Sequence, residues 1–221
     1  MITTVIFDLD GLLADTEKLH RKAYQEVLGE LGIQISDRKY EEHWIRDGKG
    51  ISEFTSENGL AIDPDVIRSE KSRLYRELVL SSVEAMPGAL AALNSLHLRK
   101  TLALATASYP DAAYTVLKTL GIQEYFDCIA TKADVTRGKP FPDIFLGVAD
   151  KLGVSPGECV VVEDAEKGIV AAARADMRCI AVPNCHTRNN NFSKASVIIS
   201  SLDELTLEWL EKFDREQSAI E

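Results

Sequence analysis

Positive charge is scarce in this chain: 25 lysines and arginines face 35 aspartates and glutamates, a formal net charge of -10. So negative a surface repels nucleic-acid backbones and anionic membranes, and neither is expected as a partner. It does not exclude a small anionic substrate, which needs only local positive charge. The four cysteines, at 128, 159, 179 and 185, form no Cys-x-x-Cys pair. Cys128, Cys159 and Cys179 lie in or beside apolar runs, where a free cysteine behaves as a small buried hydrophobe. That pattern points to a reducing, cytoplasmic setting. No apolar stretch is long enough to span a bilayer. The first residues run straight into a strand-like segment without a basic region, so no signal peptide is expected. Internal repeats and low-complexity tracts are also lacking.

What is present is a normal globular balance, 45% hydrophobic and 27% charged over 221 residues. That length suits one large domain, or a core carrying a smaller insert. Five short runs, Thr3–Phe7, Leu102–Ala105, Cys128–Ala130, Val160–Val162 and Cys179–Val182, read as strands buried on both faces, with a sixth at Val197–Ile199. Helical patterns separate them at Gly88–His97, Asp111–Leu120, Asp143–Leu152 and Lys167–Ala175. Such alternation predicts an α/β fold, a parallel sheet with helices on both faces. Between about Glu17 and Glu84 no strand pattern occurs. Lys18–Leu31 is amphipathic, with Leu19, Ala23, Val27 and Leu31 on one face, and Asp65–Leu80 is a second helix opened by Asp63-Pro64. This predicts a helical domain over 17–84 inserted into a core made of 1–16 and 85–221. The residues after about Phe213 are expected to fray.

Ligands in such sheets bind at the carboxyl ends of the strands. The first strand ends in Asp8-Leu9-Asp10-Gly11, the second in Thr106-Ala107-Ser108, and the fourth in Glu163-Asp164. Gly138-Lys139-Pro140-Phe141-Pro142-Asp143 precedes a helix. Asp8 and Asp10, two apart on an extended segment, face the same space. Close carboxylates repel unless a cation or shared proton relieves them. With Asp164 as a third oxygen ligand and Glu163 as a fourth, the set suits Mg²⁺. The competing account makes Asp8 and Asp10 turn caps closed by Gly11. Lys139 reads either as a point charge for a phosphate or as an exposed turn lysine. The Thr106 hydroxyl and Ala107 amide can hold phosphoryl oxygens, while Thr106 or Ser108 can equally cap the helix before Pro110.

Taken together, Asp8-Leu9-Asp10-Gly11-Leu12-Leu13-Ala14-Asp15-Thr16-Glu17, Thr106-Ala107-Ser108, Gly138-Lys139-Pro140 and Val162-Glu163-Asp164-Ala165 resemble, in order and spacing, the four motifs of the haloacid dehalogenase-like phosphatase superfamily. The resemblance covers nearly the whole chain and looks closest to the β-phosphoglucomutase-like group. It implies a Rossmann-like core with a helical cap. By motif, Asp8 is the nucleophile that becomes an aspartyl phosphate, and Asp10 is the general acid and base whose backbone carbonyl also binds Mg²⁺. Thr106 and the Ala107 amide bind phosphate, Lys139 neutralises nucleophile and phosphate, and Asp164 with Glu163 holds the metal. The family's fourth motif has serine after the aspartate; Ala165 stands there instead, a loss of at most one hydrogen bond near the metal.

The resemblance implies action on a small phosphorylated metabolite, with a sugar phosphate as the leading candidate; a monomer is expected, though not from the resemblance. Water resolving the aspartyl phosphate makes a phosphatase; a sugar hydroxyl makes a mutase. His20 matches a cap histidine of the group, Arg46 and Lys49 lie in a glycine-containing cap loop suited to a second phosphate or a sugar, and Lys71 precedes Tyr75 by four residues as in the mutase. Each of these four is equally compatible with a solvated surface role. The mutase has an asparagine shortly after the second motif; here the run is Ser108-Tyr109-Pro110-Asp111, which favours the phosphatase. A non-catalytic binding protein on the same fold is the remaining alternative.

Overall fold

A run such as Thr4-Val5-Ile6-Phe7 has no polar face to offer water, so it forms a strand covered on both sides. In a computed structural model describing residues 1–218, without the Ser218 side chain, six such segments form one sheet. They are β1 (Thr4–Phe7), β2 (Thr101–Ala105), β3 (Cys128–Ala130), β4 (Cys159–Glu163), β5 (Arg178–Ala181) and β6 (Val197–Ile198). The order is β3-β2-β1-β4-β5-β6 and every pairing is parallel. The chain builds outward from β1 to β3, then crosses back to start β4 on the other side of β1. Ligand crevices open at such a reversal. Register sets Phe7 level with Leu104 and Val162. Asp8, Ala105 and Glu163 therefore reach the carboxyl edge at one height. The described residues fall into two compact units, 1–15 with 84–218, and Thr16–Val83.

The second unit contains only helices and turns. α1 (Glu17–Glu30) packs along α4 (Pro64–Ser82), with α2 (Asp37–Tyr40), a six-residue π-helical stretch Glu41–Arg46, and α3 (Ile51–Glu57) between them in sequence. Val27, Leu28, Ile35, Tyr40, Ile51, Phe54 and Ile67 form its core. Asp63 caps α4, accepting from the Asp65 amide at 2.9 Å, and Pro64 supplies the first turn where no N–H is needed.

In the first unit, α7 (Asp143–Leu152) and α8 (Glu166–Arg174) pack on the sheet face carrying Ile6, Ala103, Cys159, Val161 and Cys179; α5 (Ala89–Leu96), α6 (Pro110–Thr119) and α9 (Leu207–Ser218) complete its helices. The alternate strand residues Val5, Phe7, Leu102, Leu104, Val160 and Val162 are buried too, so both faces are covered. Cys159 and Cys179 are buried as expected, whereas Cys128 is only half-buried. The fraying expected beyond Phe213 does not occur through Ser218. Asp214 accepts from the Ile2 amide and from Arg178, each at 2.8 Å, and these bonds hold the last described turns; residues 219–221 lie outside the described part.

Gly88 shows how tightly the start of α5 is built. Its φ is +79°, and a Cβ there would lie 2.3 Å from the Asp203 backbone nitrogen and 2.7 Å from the Leu202 carbonyl carbon. Backbone cannot yield as a flexible side chain can. Gly88→Ala should therefore destabilise the protein by about 3 kcal/mol, combining overpacking with a left-handed backbone. Denaturant unfolding would measure this, and a loss under about 1 kcal/mol would show that the Leu202–Glu204 turn relaxes freely.

Candidate active site

The first aspartate is placed by the sheet itself. The Asp8 amide continues the ladder, donating to Val162 O at 3.1 Å, while Gly11 (φ +83°) turns the chain back. The residue is 7% exposed. Lys139 arrives from the loop before α7, and its ammonium donates to Asp8 Oδ1 (2.6 Å), Glu163 Oε1 (2.7 Å) and Ala105 O (2.9 Å). All three of its protons are thus used, and the Phe145 ring of α7 lies 5.0 Å away. The exposed-turn role for Lys139 is excluded.

Glu163 closes β4 and is almost fully buried; its second oxygen accepts from the Ala165 amide at 3.1 Å. Its side chain fills the space that Gly168 leaves open: a Cβ on Gly168 would stand 1.7 Å from Glu163 Oε1. Asp164 Oδ2 accepts from Asn184 Nδ2 at 2.8 Å, and the same nitrogen donates to Gly11 O at 2.9 Å. Asp8, Glu163 and Asp164 each offer an oxygen within 4.8 Å of the others, a group able to hold a cation.

Asp10 does not join this group with its carboxylate, although it lies near enough to Asp8 to raise that carboxyl. Its Oδ2 accepts from Thr106 Oγ1 (3.1 Å) and Ser108 Oγ (2.7 Å). Neither hydroxyl caps α6, although Thr106 Oγ1 also accepts from the Ser108 amide at 3.0 Å. α6 begins at Pro110 behind Tyr109, whose side chain makes no cap, because proline already sets the helical φ there. Ala107 sits exposed between the two hydroxyl residues.

Burial pushes the Asp8 carboxyl up to about 7, with Lys139 opposing the rise and Glu163 and Asp10 adding to it. Burial, then Glu163 and Asp8, hold Asp164 well above the usual carboxylate range. Burial would lower Lys139, but Asp8 and Glu163 outweigh it and keep the ammonium charged. Three carboxylates around one cation thus form an acidic pocket short of positive charge.

The remaining candidates lie in the helical unit. Lys71 donates to His20 Nδ1 at 2.6 Å, and the His20 ring stacks on Tyr75 at 4.1 Å. The Lys71 ammonium also sits 4.6 Å from the Tyr75 ring centre and 5.1 Å from that of Tyr24. Arg46 is not a loop residue: it ends the π-helical stretch and bonds Asp47 at 3.3 Å. Lys49 is in the loop and bonds Glu57 at 2.6 Å. Both of these cations are engaged by acids of their own unit.

Sequence reasoning missed Asn184 and Gly168, and weighed Ser108 only as a cap. Asn184 was within reach of the strand-end rule, since it lies three residues beyond β5. Gly168 carried no signal apart from being a glycine inside a helix, where one usually has a packing reason.

A sequence model of the family described as haloacid dehalogenase-like hydrolase matches residues 5–182. The chain is 38% identical over 183 residues to fructose-1-phosphate phosphatase YqaB of Escherichia coli (strain K12), spanning 80% of this chain and 95% of that protein. Among solved structures it is similar to CbbY from Rhodobacter sphaeroides in complex with phosphate (TM-score 0.84, 29% identity, 96% of this chain and 100% of that one). It is also similar to β-phosphoglucomutase from Clostridium difficile (TM-score 0.81, 28% identity, 99% and 100%). No helix among the described residues is long and apolar enough to cross a membrane.

Proposed function

The chain belongs to the haloacid dehalogenase-like hydrolases, and on that premise we propose that it hydrolyses a small phosphorylated metabolite, of the sugar-phosphate class, through an aspartyl phosphate on Asp8. The observation that carries this reading is the ammonium of Lys139 bonded at once to Asp8 and Glu163 at the carboxyl edge of the sheet. A carboxylate nucleophile must approach a phosphate dianion, and a fixed buried cation beside it offsets their repulsion.

In the first half-reaction an Asp8 oxygen bonds to phosphorus as the ester oxygen leaves. Asp10 gives that oxygen its proton. In the second, Asp10 takes a proton from water, the water oxygen bonds to phosphorus, and phosphate departs as Asp8 is restored. The Ala107 amide holds a phosphoryl oxygen, and the Thr106 hydroxyl gives its single proton either to a phosphoryl oxygen or, as in the free site, to Asp10. The hydroxyls of Thr106 and Ser108 orient Asp10 between its two tasks, an acid–base contribution typically worth ~10²–10⁴-fold in rate. The Asp8 and Asp164 carboxylates, backed by Glu163 and the Asp10 carbonyl, offer the hard oxygens that suit Mg²⁺, which when bound there supplies charge neutralisation to the phosphoryl group.

A phosphomutase is the second reading, favoured by the likeness to β-phosphoglucomutase. Against it stands the run Ser108-Tyr109-Pro110-Asp111, which lacks the asparagine that the mutase carries shortly after the second motif. The test is a panel of sugar phosphates and an aryl phosphate with Mg²⁺, scoring free phosphate and isomers separately. Phosphate release without isomer is expected. Isomer without net phosphate would establish the mutase, and neither product would sink both readings.

A further inference from the structure

The oxygens of the acidic cluster are not equally available. Lys139 occupies Asp8 Oδ1 and Glu163 Oε1, the Ala165 amide occupies Glu163 Oε2, and Asn184 occupies Asp164 Oδ2. Four of the six carboxylate oxygens are thereby committed, leaving Asp8 Oδ2 and Asp164 Oδ1 turned to none of these donors.

Asn184 is the one partner in this set that no motif contains. Its orientation is forced. The side-chain oxygen accepts from the backbone amides of His186 (2.7 Å) and Thr187 (3.1 Å), which can only donate, so the NH₂ group must face Asp164 and Gly11. The Asn184 amide is itself pinned by Thr187 Oγ1 at 3.0 Å. One side chain thus ties the loop after β5 to the loops after β1 and β4.

We propose that Asn184 is a positioning residue that restricts Asp164 to one-oxygen presentation and so biases the site toward Mg²⁺ over Ca²⁺. This rests on the reading of the pocket as a divalent-cation site. Mg²⁺ requires near-octahedral geometry, keeps several waters and takes one or two carboxylates, which matches two uncommitted oxygens. Ca²⁺ takes six to eight oxygens and accepts both oxygens of one carboxylate. With Oδ2 accepting from an amide, two-oxygen chelation by Asp164 competes with that bond; in its absence it does not.

The test is calorimetric titration of the metal-free, full-length protein with Mg²⁺ and, separately, Ca²⁺. In Asn184→Ala, Mg²⁺ should bind more weakly and Ca²⁺ no less well, shifting the ratio of the two affinities toward Ca²⁺ by on the order of 10-fold. Asn184→Asp keeps an acceptor for the His186 and Thr187 amides, so the loop is retained while the donor to Asp164 is lost. Its ratio should move the same way. Thr187→Val frees the Asn184 backbone amide but leaves its side chain able to bond Asp164 and Gly11, so the ratio should move much less than in Asn184→Ala. An unaltered ratio in both Asn184 variants, or an equal shift in Thr187→Val, overturns the proposal. Binding of neither cation by the wild-type protein overturns the cation-site reading itself.

Discussion

Asp8→Asn should cut phosphate release by roughly 10⁴-fold or more, because a carboxamide cannot form the acyl phosphate that splits the reaction into two steps. The same change should raise the melting temperature of the metal-free protein. Asp8, Glu163 and Asp164 share one ammonium in a buried site, and removing one acid relieves that excess. The pH dependence follows from the sign of the shift. A carboxyl whose folded pKa is raised favours folding only while protonated, so its contribution is complete below its ordinary 3.8 and is lost as pH climbs to about 7. In excess chelator, the advantage of Asp8→Asn over wild type should therefore grow across that interval and level off above it. Thermal scans at a series of pH values check this. A variant less stable than wild type at pH 7 would mean that the Asp8–Lys139 pair stabilises more than the like charges cost. Retained turnover would rule out Asp8 as the nucleophile.

Lys139→Met should be damaging on both counts. Removing one partner of a buried ion pair leaves uncompensated charge, here on Asp8 and Glu163, at a cost of about 3–5 kcal/mol. Turnover should also fall by roughly 10³-fold, the scale for losing a preorganised electrostatic group. Lys139→Arg should not rescue it. Asp8, Glu163 and Ala105 converge on a single nitrogen, an arrangement that fits an ammonium and not a planar fork. Denaturant unfolding with an unchanged m-value, alongside phosphate release, measures both effects. A stability loss under about 1 kcal/mol would place this pair with solvent-exposed salt bridges.

The strands were readable because burial on both faces leaves a continuous apolar run, and β1 to β5 each lie within two residues of the expected segments. Asp164 was readable because strand-end chemistry is local, and Lys139 because the Gly138-Lys139-Pro140 run before α7 is local too. Partner choice was less so. Ser108 looked like a helix cap, since serine before a proline usually is one; only the fold shows its hydroxyl spent on Asp10. That the Asp10 carboxylate would accept from Thr106 and Ser108 leaves no mark on a two-residue spacing. The tail beyond Phe213 looked free, because its anchors, Ile2 and Arg178, are remote in sequence.

By itself, the sequence determined the α/β class, the helical insert and the residue types at each strand end, because hydrophobic period and turn chemistry act over a few neighbours. The tertiary structure alone decided which oxygen each donor takes: Lys139 on Asp8, Thr106 on Asp10, Asn184 on Asp164 and Gly11. The first, second and last of these bonds join residues 131, 96 and 173 positions apart. A hydrogen bond is set by ångström-scale placement, and that placement exists only once the sheet has brought its edges together.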